Sequence, residues 1–172
     1  MKKWIIRAIV VIVVAIVALA GIYFYKVVTI PQKVHYHAGF VIFTNNKKVD
    51  FSKTQYMSVE PCTLQTHEEE DTPQDIQREK AHLHDSVGDV VHVERSGATW
   101  GDLFTNLHYS IDYAQATAYL NGKKIADLAK QEIHNDDSLV VLIGKNDITK
   151  ELKQAVTKKH IEETAKKSES CG

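Results

Sequence analysis

Cysteine is scarce in this chain, and the chemistry that depends on it is excluded. There are two cysteines, Cys62 and Cys171. No C-x-x-C occurs, which removes a thiol redox motif and a cysteine-based zinc finger. In an oxidising compartment the two can pair or stay free, and the simplest reading of Cys62 is a small buried hydrophobe. A basic excess is missing too: Lys+Arg is 21 against Asp+Glu 22. Nucleic-acid binding, which needs a net basic face, is therefore not expected. No G-x-S-x-G elbow occurs, and the glycines around 97–101 do not form a phosphate loop. With no complete catalytic signature, an enzyme is not the favoured reading.

One long hydrophobic run is present. Ala8 to Tyr25 carries no charge, and about 20 apolar residues span a bilayer core. Trp4 and Tyr23/Tyr25 flank it as an aromatic belt would, and Arg7 can snorkel. Residues 1–25 are thus predicted to be a transmembrane anchor, with residues 4–25 crossing the membrane. The slight positive-inside bias of Lys2, Lys3 and Arg7 predicts a single-pass location in the cell membrane, N-terminus inside and domain extracytoplasmic. A cleaved signal peptide is the competing reading, with Ala18-Leu19-Ala20 as its site.

Residues 26–34 read as a linker broken at Pro31. Tyr36 to Thr44 reads as a strand, turned at Asn45-Asn46 into a second strand over Lys47–Phe51. Residues 58–80 read as a surface excursion with an acidic run at Glu68–Asp71 and a helix started by Thr72-Pro73-Gln74-Asp75. His82-Leu83-His84 and Val90–Glu94 read as a strand pair. Thr99 caps a helix from Trp100 to about His108, with Asp102 completing a capping box. Trp100, Leu103, Phe104 and Leu107 form its apolar face. Gln115–Leu120 and Lys123–Ile125 flank an Asn121-Gly122 hairpin signal, and Ser138–Ile143 is a last apolar strand. Residues 147–166 read as a helix with a narrow stripe of Ile148, Leu152, Ala155 and Val156, a surface on which a protein partner is expected. Residues 146–172 are expected as a helical or disordered tail.

From residue 80 to 145 the element order resembles the β-grasp fold. "GATWGDLFTNL" and "YLNGKKIADL…HNDDSLVVLIG" look like the helix start, hairpin and closing strand of ubiquitin-like sulfur carriers. That chemistry is not implied, because Gly144 is followed by Lys145-Asn146 rather than ending an exposed Gly-Gly. The phrases "HYHAGFVIFTNNKKVDFS", "QYM", "AHLHD" and "VVHVERSGATWGDLF" resemble an uncharacterised group of exported, His-rich bacterial and archaeal proteins. The expected fold class is α+β: a transmembrane helix, then one His-rich domain over 35–145. That domain has a β-grasp-like core over 80–145, an added N-terminal β-hairpin and a C-terminal helix.

Histidine is the compositional oddity, with nine residues. Three i, i+2 pairs occur: His35/His37, His82/His84 and His92/Glu94. In a strand, i and i+2 share a face. A three-residue loop Ser86-Val87-Gly88 pairs His82 with His92 and gathers His82, His84, His92 and Glu94 on one face. A two-residue loop Val87-Gly88 splits them. Imidazole and carboxylate suit Zn or Cu, so these four are candidate metal ligands, with His35 and His37 as additional ones. Asp85, Asp89 and Asp102 are candidate partners that orient imidazoles. His67, His108, His134 and His160 read as surface residues. The competing class is a non-catalytic structural or protein-interaction domain in which the histidines are a satisfied polar face; a hydrolytic metalloenzyme ranks third.

Overall fold

The computed structural model describes residues 2–29, 31–58 and 72–168. Cys62, Cys171, His67 and the acidic run Glu68–Asp71 lie outside them, so the readings made for those residues do too. The chain divides into two compact units, Met1–Gln32 and Lys33–Gly172.

The first unit contains helix α1, Lys2–Thr29. Among the described residues, no helix is long and apolar enough to cross a membrane. The expected transmembrane anchor at 4–25 is overturned, and with it the signal-anchored, single-pass, extracytoplasmic placement.

The second unit is mixed α/β. Its strands are β1 (Lys33–Thr44), β2 (Lys47–Lys48), β3 (Val90–Arg95), β4 (Ala116–Leu120), β5 (Lys123–Ile125) and β6 (Ser138–Ile143). Its α-helices are α2 (Pro73–Lys80), α3 (Trp100–Asn106), α4 (Ile148–Leu152) and α5 (Lys158–Ser168). The sheet runs β2-β1-β6-β4-β5, and β3 also pairs with β1.

The centre of the sheet lies where the β-grasp reading did not put it. That reading made 82–84 the first strand of a core over 80–145. Instead β1, assigned to an added hairpin, runs parallel to β6 and antiparallel to β3. The reason is burial. Every residue from His37 to Phe43 is buried, so this strand packs on both faces, as central strands do. The 82–84 segment contributes only isolated bridges, Met57↔Leu83 and His82↔His92.

The two sheet faces are built from opposite parities. Ala38, Phe40, Ile42, Val91, Val93 and Leu83 enter the main core with Trp100, Leu103, Phe104 and Leu107 of the α3 region. The Thr99–Asp102 capping box starts α3 as expected. On the other face, Val41, Phe43, Val90, Val140 and Leu142 form a second core with Val156 and Ile161. The expected single helix over 147–166 is two helices, broken between Leu152 and Lys158. Its stripe changes accordingly: Ile148 is exposed, and Ile161 is buried in place of it. Gly39 makes this packing possible, since a Cβ there would stand 2.5 Å from Val156 Cβ.

Candidate metal centre

Along the second face, α5 covers only one end of β1. Odd-numbered residues 39, 41 and 43 lie under Val156 and Ile161; the same parity continues outward to His37 and His35. On β3 the matching parity runs from Val90 to His92 and Glu94. The register is His37↔His92 on one side of β3. On its other side is the bridge His82↔His92, held by reciprocal backbone hydrogen bonds of 3.0 and 2.9 Å. His37, His92 and His82 therefore form a row across three chain segments. His35 and His84 flank it on the same face by i, i+2 parity.

The turn that returns the chain from His84 to Val90 differs from both loops considered. Val87 N donates to His84 O at 3.0 Å. The residues between, Asp85 and Ser86, carry φ of 55° and 58°. This is a left-handed two-residue turn on non-glycine residues. Gly88 is not the left-handed residue. A Cβ on it would lie 2.5 Å from Ser52 N and 2.7 Å from the Phe51 carbonyl carbon, so glycine is needed there for close backbone approach.

The segment carrying His82 is anchored from below. Asn106 Nδ2 donates to the carbonyls of Gln77 and Ala81, each at 2.8 Å. Lys80 Nζ donates to Asp102 Oδ1 at 2.9 Å, and Arg95 of β3 is ion-paired with Glu79. Leu83, fully buried, pins the strand from the core side.

Five imidazoles thus touch. Ring centroids are 4.6 Å apart for His35–His92, 4.7 Å for His37–His92, 5.1 Å for His82–His92 and 4.8 Å for His84–His92. Two groups have ligand nitrogens all within 4.8 Å of one another: His35/His37/His92 and His82/His84/His92. Of the residues expected at a site, His82, His84 and His92 form one group. His35 and His37 join the other, and Glu94 Oε1 stands 3.3 Å from His92 Nε2. Asp85 is an orienting carboxylate, 2.6 Å from His84 Nδ1. Asp89 serves elsewhere, at 3.2 Å from His160 Nε2, and Asp102 belongs to the α3 cap.

The hydrogen bonds leave lone pairs over. With His84 Nδ1 donating to Asp85, its Nε2 accepts from His92 Nδ1 at 2.9 Å. His92 Nε2 faces the Glu94 carboxylate at 3.3 Å, a contact that a proton or a metal ion on Nε2 satisfies. His82 bonds through its ring to the Arg78 backbone, while its Nδ1 is buried with no partner, as is His37 Nε2. Buried unpaired nitrogens are costly.

Burial pushes His37 down to about 4, helped by the charges that His92, His35 and His84 would carry. Burial also takes His82 to about 4, with His92 adding and Glu94 opposing. The hydrogen bond with His92 holds Glu94 below the usual carboxylate value. At neutral pH His37 and His82 are therefore uncharged, the form that ligates metals. No family model, no curated protein sequence and no solved structure matches this chain.

Proposed function

We propose that this protein is a binding module for a divalent transition-metal ion, Cu²⁺ or Zn²⁺, held by His82, His84 and His92 with Glu94 beside His92. One observation carries the reading: three imidazoles from two chain segments have ligand nitrogens within 4.8 Å of one another. The buried Nδ1 of His82 and Nε2 of neighbouring His37 have no hydrogen-bond partner. A satisfied polar face, the competing reading, would not leave such nitrogens orphaned. The donors are borderline-soft nitrogens with no thiolate, which suits copper and zinc over calcium or magnesium.

The test is calorimetric titration of the full chain with Cu²⁺ and Zn²⁺, in the wild type and in His82→Ala/His92→Ala. Stoichiometric binding in the wild type, weakened at least 100-fold in the variant, is the expected result. Equal affinity in both would remove the site.

A further inference from the structure

We infer that the histidine row holds two metal ions at once, in adjacent positions that share His92 as a bridging ligand. This rests on the reading of His82, His84 and His92 as ligands and adds a second position made by His35, His37 and His92.

The donors outnumber what one ion uses. Five imidazoles and the Glu94 carboxylate meet here, whereas a protein zinc ion takes about four ligands. The set also divides in a definite way. The two groups whose nitrogens lie within 4.8 Å share His92 and nothing else. Strand order explains this. His92 stands on β3, with His37 opposite it on β1 and His82 opposite it on the other side. The two groups therefore lie on opposite sides of His92.

An imidazole has two ring nitrogens, and those of His92 face different neighbours. Nδ1 points to His84 Nε2 at 2.9 Å, toward the first position. Nε2 stands 3.3 Å from Glu94. The second position has its own unexplained group. His37 is 7% exposed, and its Nε2 is buried without a partner. An ion confined to His82, His84 and His92 leaves that nitrogen orphaned; a second ion at His35, His37 and His92 brings His37 into a ligand set.

For both His92 nitrogens to ligate, its single N–H proton must leave. When the second ion binds, that proton passes to solvent and His92 becomes an imidazolate bridging two cations. Glu94, negatively charged at the bridge, offsets part of the added positive charge.

The experiment is copper loading of the full-length protein followed by removal of loose metal on a desalting column. Bound copper per chain is measured by mass spectrometry, and electron paramagnetic resonance is recorded on the same samples. Two ions per wild-type chain are expected, with resonance intensity well below that of two isolated Cu²⁺ ions, because an imidazolate bridge couples the spins. His35→Gln/His37→Gln and His82→Gln/His84→Gln should each keep one ion with the full signal of isolated Cu²⁺. One ion in the wild type overturns the two-position inference and leaves the metal-binding reading standing. Two ions with the uncoupled intensity of both overturn the bridge. No bound copper overturns both readings. The wild-type count and signal decide without the variants, so a variant that fails to fold does not blunt the test.

Discussion

At the scale of single residues, the site depends on parity and on a few close approaches. His35, His37, His82, His84, His92 and Glu94 face one way because strand side chains alternate, and Leu83, Val91 and Val93 fill the core on the other side. The i, i+2 pattern was legible in the sequence for that reason. The bridge between His82 and His92 follows the odd-loop reading, but the turn that makes it does not. Sequence rules put glycine at the left-handed position; the chain puts Asp85 and Ser86 there and spends Gly88 on contact with Phe51 and Ser52. That contact lies more than thirty residues away, where local rules cannot see it. Gly88→Ala is accordingly expected to destabilise the fold by about 1–3 kcal/mol through overpacking, read as a lower urea midpoint with an unchanged slope. A midpoint equal to the wild type would show that the close approach is dispensable.

At the scale of elements, α2 and α3 act as a mount for the segment carrying His82. Asn106 joins them by donating to the Gln77 and Ala81 carbonyls. Asn106→Ala leaves those acceptors unpaired, with an expected cost of about 1–3 kcal/mol. It should also lower metal affinity, since His82 follows Ala81 directly. A melting temperature and affinity both unchanged would disconnect the mount from the site. Caps and hairpins were readable here because they are local. Thr99 with Asp102, Thr72 with Asp75, and Asn121-Gly122 at φ 51° and 77° all formed. The extent of the tail helix was not readable. Its breaks and its use of Ile161 in place of Ile148 depend on which residues meet Val41 and Phe43 across the sheet.

At the scale of the whole molecule, the order of elements was legible and the centre of the sheet was not. Nearest-neighbour reasoning paired 82–84 with 90–94 as the core hairpin, whereas β3 makes its long ladder with β1, some fifty residues away. The choice turns on total burial, which no local window contains. The N-terminal helix was misjudged as an anchor for a related reason. The anchor reading rested on an uncharged run alone, and among the described residues no helix is long and apolar enough to cross a membrane.

Protonation also acts on the whole molecule. His37 and His82 sit near 4 in the folded protein against an ordinary 6.5. Between those values the unfolded chain binds more protons, so folding stability rises with pH there. Stability from these two groups is complete above about pH 6.5 and is lost as pH falls toward 4. Urea midpoints of metal-free protein should therefore fall steadily across that window. A flat or rising midpoint would mean that the two rings are not held neutral by burial.

The most direct test of the account is the metal content of the full chain after copper or zinc loading, compared between wild type and His92→Gln. His92 belongs to both histidine groups, so this one exchange reaches every ligand set described. Stoichiometric metal is expected in the wild type and near-complete loss in the variant, with its circular dichroism spectrum preserved. Metal content that is negligible in the wild type, or unchanged in a folded variant, would contradict it.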